Sequence, residues 1–358
     1  MIERFSAIAP SRQGVDIEIV ARPATELLIG LYGLTVAEPR PSRDSWVPPI
    51  SDCSPRLREL IDQIGSESGE LWLHLLGLAL EIAAEDGAAF ASRLSEVEAL
   101  ELRRHLIGVY CPAWVSAVGT ETLERAVNGD SKAAAVLLAD PCYYGGHAPS
   151  ALAALLPLSA AETKQRVLAV VTCFAEEIFA TREGMLLRRL RAESIAQQPK
   201  VDTARLEETV AAVASSYAYT AEANVARVIL VPHLAAPPWI LLCQHRDNRL
   251  ICYPAEQTFE DSEQELRQRI VRLGRTLSDE KRIEIVRRLA HGETTLNELV
   301  AHTGLAKSTV HHHVAQLRAA GLLIVHGNAR NFSYSLSREG LNLSLTTLSE
   351  AFGQNDDA

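Results

Sequence analysis

The sequence predicts a mainly α protein with a small β-sheet, divided into a large, mostly helical N-terminal domain and a small C-terminal one. Three observations carry this. From about residue 56 to 217 the chain is rich in Leu, Ala, Glu and Arg, with apolar residues three and four apart, the period of a helix with one buried face. Between 225 and 253 the pattern changes to short runs of Val, Ile and Leu separated by turn formers. From 275 to 338 short helical segments are punctuated by single glycines. That segment holds 9 Lys/Arg against 5 Asp/Glu, although the whole chain of 358 residues has a net charge of −10. Screening confines each charged region to about 10 Å at 0.1 M salt, so a basic segment of an acidic chain can still bind a polyanion.

In chain order, Val15–Val20 alternates like a strand, and Pro23 suits the first turn of a helix carrying Leu27, Leu28 and Leu31. Residues 37–55, with five prolines, read as a loop. Leu57, Leu60, Ile61 and Ile64 form one helical face; Val167, Val170, Val171, Phe174 and Ile178 form another. Val225–Val231, Ile240–Gln244 and Leu250–Tyr253 read as a meander, which Val15–Val20 is placed to join. Glu260–Arg272 reads as an amphipathic helix. The domains expected are 1–270, 275–338, and a C-terminal helix with an acidic tail over 339–358. In that last helix Leu341, Leu345, Leu348 and Phe352 recur at helical spacing, to pair subunits or to pack on their own domain.

Several function classes drop out. Cys53, Cys111, Cys142, Cys173, Cys243 and Cys252 form no C-x-x-C pair, which suits a reduced, cytoplasmic protein. Met1–Arg4 does not open a signal peptide, and no apolar run approaches the roughly 18 residues of a membrane span, so no membrane partner is expected. G-x-G-x-x-G, P-loop, G-x-S-x-G and H-E-x-x-H patterns are missing, so no catalytic residue, metal or cofactor is assigned and a non-enzyme is expected. Tyr110, Trp114, Tyr143, Tyr144 and His147 combine aromatic bodies with polar tips. They read either as the wall of a small-molecule effector pocket or as loop packing.

The C-terminal segment is the informative one. Ser278 suits an N-cap ahead of Asp279 and Glu280, with Ile283, Val286 and Leu289 as a buried face and Gly292 as the stop. Thr294 or Thr295 caps a short helix that turns Leu296, Leu299 and Val300 inward. Thr303-Gly304-Leu305 is a tight turn, and Ala306–Ala320 a second helix. Two helices about a glycine turn make a helix-turn-helix. Leu322–Val325, a turn at His326–Ala329 and Asn331–Leu336 make a two-stranded wing.

At about 100° per residue, Val310, Val314 and Leu317 share one face of the second helix. Ser308, His312, Ala315 and Gln316 lie opposite, with Thr309 and His311 on the flanks. This outward face is polar and free of acids, which suits a major groove about 12 Å wide. Lys307, with Asn328 and Arg330 in the wing, completes the candidate DNA contacts. His311, His312 and His313 point about 100° apart and cannot converge on one metal ion. A winged helix used for protein contacts is the alternative.

Leu277–Ile283, Glu298-Leu299-Val300, Thr303-Gly304-Leu305, Ser308–Val314, Leu317–Leu322 and the strand with Tyr334 together resemble the ArsR-type winged-helix transcription regulators of prokaryotes, over roughly 65 residues. The resemblance implies that the second helix reads an operator, that the wing touches the flanking backbone, and that regulators act as homodimers. Carried over, Ser308, Thr309, His311, His312 and Gln316 face bases or phosphates, and Arg330 serves the wing. Two departures stand out. His311-His312-His313-Val314 replaces the frequent Ser-Arg-His-Leu, and Leu296–Val300 lacks the cysteine pair of the family's metal sensors. With histidines in the reading helix, DNA affinity is expected to fall above about pH 6.5. The expected protein is a cytoplasmic, dimeric repressor that binds double-stranded DNA and is controlled through its N-terminal domain. The alternative is an enzyme or scaffold with the winged helix as a docking module.

Overall fold

In the computed structural model, which describes residues 14–36, 45–65, 67–255, 262–328 and 331–352, the chain begins with strand β1 (Asp16–Ile19). Helix α1 (Pro23–Thr35) follows, with proline in its first turn, where a missing N–H is harmless, and is buried along its whole length. After α2 (Pro55–Ile64), the helices α3 (Gly69–Leu73), α4 (Leu76–Glu81) and α5 (Gly87–Glu96) pack against it, followed by α6 (Ala99–Ile107). Next come α7 (Pro112–Val118), α8 (Thr120–Val127), α9 (Ser131–Ala139) and α10 (Ala148–Leu152). Helix α11 (Ala160–Phe174) starts on a Ser159/Glu162 capping box and buries Val167, Val170, Val171 and Phe174. A π-helical turn at Ala175–Phe179 joins it to α12 (Ala180–Gln197). Among the described residues, no helix is long and apolar enough to cross a membrane.

Beyond α13 (Leu206–Val213) and the short β2 (Tyr217–Ala218) lie β3 (Arg227–His233), β4 (Leu241–His245) and β5 (Asn248–Pro254). With β1 they form a four-stranded sheet in the order β1-β3-β5-β4. Val15–Val20 therefore contributes a strand to it, but the meander expectation needs correcting. β3 pairs in parallel with β1 and β5, and β4 runs antiparallel to β5. The reason is burial on both sides. Ile229, Val231, Leu250 and Cys252 face the helical core, whereas Ile17, Val228, Leu230, Ile251 and Tyr253 belong to a second core. Parallel strands covered on both faces read as unbroken apolar runs.

The second core continues into the C-terminal part, built from α14 (Ser262–Leu277), α15 (Glu280–Ala290), β6 (Thr294–Thr295) and α16 (Leu296–Thr303). Helix α17 (Lys307–Ala319), strands β7 (Leu323–Asn328) and β8 (Asn331–Leu336), and α18 (Arg338–Phe352) complete it. Its sheet has the order β2-β7-β8-β6, with β2 running parallel to β7. Val210, Val213 and Tyr217 thus share one core with Leu289, Val314 and Leu323. The chain divides near 270–275 in composition, but the core crosses that point.

The face expected on α15 is also corrected. Ile285 and Leu289 are buried and Val286 is half-buried, whereas Ile283 is 43% exposed. The N-cap is Asp279, which accepts from the Arg282 amide at 3.0 Å, while Ser278 donates to the Arg275 carbonyl. On α18, Leu341 and Leu348 are half-buried, but Leu345 (58% exposed) and Phe352 (74%) are not covered.

Glu26 sits at the centre of the helical core. It accepts from Trp46 Nε1 at 2.6 Å and from the Leu234 amide at 3.1 Å, yet burial still raises its carboxyl to about 7. A carboxyl raised from 4.5 in the folded state stabilises the fold below that pH, and this contribution is lost as pH rises through 7. Glu26→Gln is therefore expected to raise the thermal midpoint at pH 8 by roughly 3 °C or more and to leave it nearly unchanged at pH 5. Equal shifts at both values in a melting series count against a proton on Glu26.

Candidate nucleic-acid interface

The helix-turn-helix is assembled locally. Thr295 and Glu298 form a capping box at the start of α16, the amide of Glu298 donating to Thr295 Oγ1 at 3.3 Å. Gly304 closes α16 at φ +68, a left-handed conformation that glycine adopts without strain, and its amide donates to the Val300 carbonyl at 2.9 Å. Helix α17 then seats Val310, Val314 and Leu317 fully in the second core.

Lys307 at the start of α17 is exposed, and on the side away from Val310, Val314 and Leu317 the residues Ser308, Thr309 and His312 are exposed and Gln316 is half-buried. His311 and Ala315 are not open to solvent as the helical wheel suggested. Ala315 is buried in the helical core of the N-terminal part. The His311 ring stacks on Trp239 with centroids 5.0 Å apart and planes 8° from parallel. Arg318, one turn past Val314, lies over the other portion of this contact, 5.3 Å from the Trp239 ring centroid. The three histidines point three ways: His311 onto Trp239, His312 outward, and His313 inward with 8% of its surface exposed.

Burial, with the positive Arg318 and Lys307 nearby, pushes the His311 imidazole down to about 4. His311 is therefore neutral in this arrangement well below pH 6.5, which corrects the titration expected of it. Arg318 is 7% exposed, and burial lowers its guanidinium to about 10. Its Nε and Nη2 have no hydrogen-bond partner among the described residues. Leaving such groups unpaired costs about 1–3 kcal/mol for a neutral donor and more for a charged one.

Trp239 is held from beneath. The His233 ring accepts from the Ala236 amide through Nδ1 at 3.4 Å and donates through Nε2 to the Trp239 carbonyl at 2.9 Å. Glu26 takes the Leu234 amide, and Ser45 donates to the Ala235 carbonyl. Sequence reasoning missed Trp239, Ala315 and Arg318 as parts of one contact. Pro237-Pro238-Trp239 marks a loop but carries no periodic signal that reveals its partner.

In the wing, β7 and β8 pair antiparallel from Leu323↔Leu336 to Asn328↔Asn331. His326-Gly327-Asn328 therefore belongs to a strand rather than to the expected turn. Arg330 and the side chain of Asn328 lie outside the described residues.

The aromatic cluster is packed rather than open. Tyr143 and Tyr144 are buried, their hydroxyls donating to the carbonyls of Ile107 and Leu106. Trp114 donates to Nε2 of His74 at 3.2 Å, and that imidazole, stacked 4.1 Å from Tyr144, is pushed down to about 3 by burial. Tyr110 turns elsewhere, to Glu101 at 2.6 Å and beneath Arg246, and His147 is exposed. The five do not converge on one cavity.

Residues 279–325 match the family model described as bacterial regulatory protein, arsR family. This segment is an ArsR-family helix-turn-helix domain. The HTH-type transcriptional regulator CmtR of Mycobacterium tuberculosis, and that of Mycobacterium bovis, are 37% identical over 68 residues, 19% of this chain. The chain spans 58% of the length of these curated relatives. Among solved structures, NolR from Sinorhizobium fredii is 25% identical over 27% of this chain and 98% of its own, with a TM-score of 0.22. HlyU from Vibrio cholerae is 26% identical over 27% of this chain and all of its own, with a TM-score of 0.21.

For this ArsR-family domain the docked imidazole is directly measurable. Titration of the His311 ring by NMR is expected to keep it neutral down to about pH 5, with a midpoint near 4. A midpoint near 6.5 means that the ring is not held against Trp239.

Proposed function

We propose that this protein is a double-stranded DNA-binding transcription regulator, a dimeric repressor of the cytoplasm controlled through its N-terminal domain. The observation that carries the proposal is the coincidence of the ArsR-family match with an exposed, acid-free turn. Lys307, Ser308 and Thr309 open α17 to solvent, and His312 follows one turn later. Lys307 meets phosphate, and the hydroxyls and imidazole reach base edges or phosphates. The name of the CmtR relatives, an HTH-type transcriptional regulator, points the same way. Arg330 and Asn328 of the wing are assigned to the flanking backbone by the same reading.

The uncovered leucines favour pairing. Leu343, Leu345 and Phe352 on α18 are exposed, as are Val271 and Leu277 on α14, against which α18 packs. Leu345 and Phe352, seven residues apart, share one face of α18, a surface that suits a second copy of the chain, and a two-fold dimer matches two half-sites. The second reading, a winged helix that binds protein, has in its favour the flank that already meets Trp239. The amino end of α17, basic and free of such contact, favours DNA.

The test is retention of duplex by the full chain from a pool of genomic fragments. Enriched fragments are expected to bind with affinity that falls steeply with salt. Lys307→Ala is expected to reduce the slope of log K against log salt by about 1. Lys307→Ala combined with His312→Ala is expected to abolish enrichment. Salt-independent retention of duplex favours the protein-docking reading.

A further inference from the structure

We infer that the structure is a closed form in which Trp239 of the N-terminal part clamps the flank of α17 and keeps that helix out of a duplex. The inference rests on the DNA-binding reading above and names the contact through which the N-terminal part exerts control.

The geometry is one of a covered flank. At about 100° per residue, His311, Ala315 and Arg318 fall within roughly 60° of one another, between the buried Val314 stripe and the open Ser308–His312 side. Two successive turns of that flank are occupied. Trp239 lies flat on His311 at 5.0 Å and beneath Arg318 at 5.3 Å, and Ala315 between them is buried in the core of the N-terminal part. A helix about 10–12 Å across fills a major groove about 12 Å wide, so both its flanks must be clear to enter. Here one flank is replaced by protein where the groove wall and its phosphates have to run.

The clamp is rigid on one side and releasable on the other. Glu26, Ser45 and His233 fix the loop that carries Trp239. On the α17 side this flank contact carries one stacked ring, one alanine and a guanidinium whose Nε and Nη2 have no hydrogen-bond partner among the described residues, while Val310, Val314 and Leu317 belong to the shared second core. Opening gives those nitrogens water or phosphate, which the closed form denies them. The domain is not cast loose on opening. β2 stays paired with β7, and Tyr217 donates to the Gly327 carbonyl at 2.7 Å, so the pairing of β2 acts as the pivot.

The test uses the full chain with Trp239→Ala, and Trp239→Phe as the ring-retaining control. Two quantities are read: amide hydrogen exchange over residues 307–319, and affinity for the duplex enriched by the wild type at one fixed salt concentration. The alanine variant is expected to exchange faster over α17 and to bind at least tenfold tighter, with the phenylalanine variant close to wild type. Should Trp239→Ala fail to fold, Ala315→Gln opens the contact from the other side and is read in the same way. Faster exchange with unchanged or weaker binding overturns the clamp while the DNA-binding reading stands. Unchanged exchange in both variants also overturns it. No duplex retained by either wild type or opened variant removes the DNA-binding reading and the clamp together.

Discussion

The sheet β1-β3-β5-β4 is the constraint on which the rest depends, because it is buried on both faces. Consecutive residues of β3 go to opposite sides: Ile229 and Val231 to the helical core, Val228 and Leu230 to the core shared with the winged helix. Such a wall transmits position, since side chains packed at interior density cannot slide past one another without opening voids. A deeply buried ion pair is placed to hold the wall to the neighbouring segment. Arg249 at the start of β5 donates through Nε to Glu222 at 2.7 Å and through Nη1 to the Cys243 carbonyl at 3.2 Å. Charge inside this wall is matched, which is what makes the unmatched guanidinium of Arg318 stand apart.

From the wall follow the two features that decide where α17 lies. The end of β3 delivers the loop with Trp239, and the segment after α13 delivers β2, whose parallel pairing with β7 sets the wing. The winged helix is therefore attached at two places of different character. One is a strand pairing with a shared apolar core. The other is an aromatic contact on the flank of α17. A domain on a flexible linker has no preferred face toward its neighbour; this one has.

Legibility in the sequence followed how local the deciding physics was. The turn at Gly304, a threonine cap at 294 or 295 and the face Val310, Val314, Leu317 depend on neighbours within a few residues and were readable; that the cap is Thr295, boxed with Glu298, came from the structure. The strands of the first sheet were visible as apolar runs, but their order was not, because a run such as Val228–Val231 reports double burial without naming its partners. β2, two residues long, is too short to leave a period. Ile283 and Ile285 could not be told apart by composition, and the contacts of α15 chose Ile285. The amino-terminal half of the reading face, Lys307 to Thr309 with His312, emerged as expected in exposure, whereas His311 and Ala315 did not. A helical wheel assigns the side away from a helix's own core to solvent, and it has no means of registering a second domain that arrives from residue 239.

The energy of that second contact is the reason to regard it as a control point rather than as simple packing. A desolvated cation–π pair contributes about 2 kcal/mol. Against it stand two buried guanidinium nitrogens without partners among the described residues, each costing on the order of 1–3 kcal/mol or more. Together those costs, on the order of 2–6 kcal/mol, equal or exceed that gain, so the stack of His311 and the burial of Ala315 have to make up the difference. An interaction built only for stability would supply an acceptor for Arg318, as Glu222 does for Arg249. A closed state within a few kcal/mol of an open one is what a ligand, a partner or a duplex can shift, because population changes only as far as differential affinity carries it.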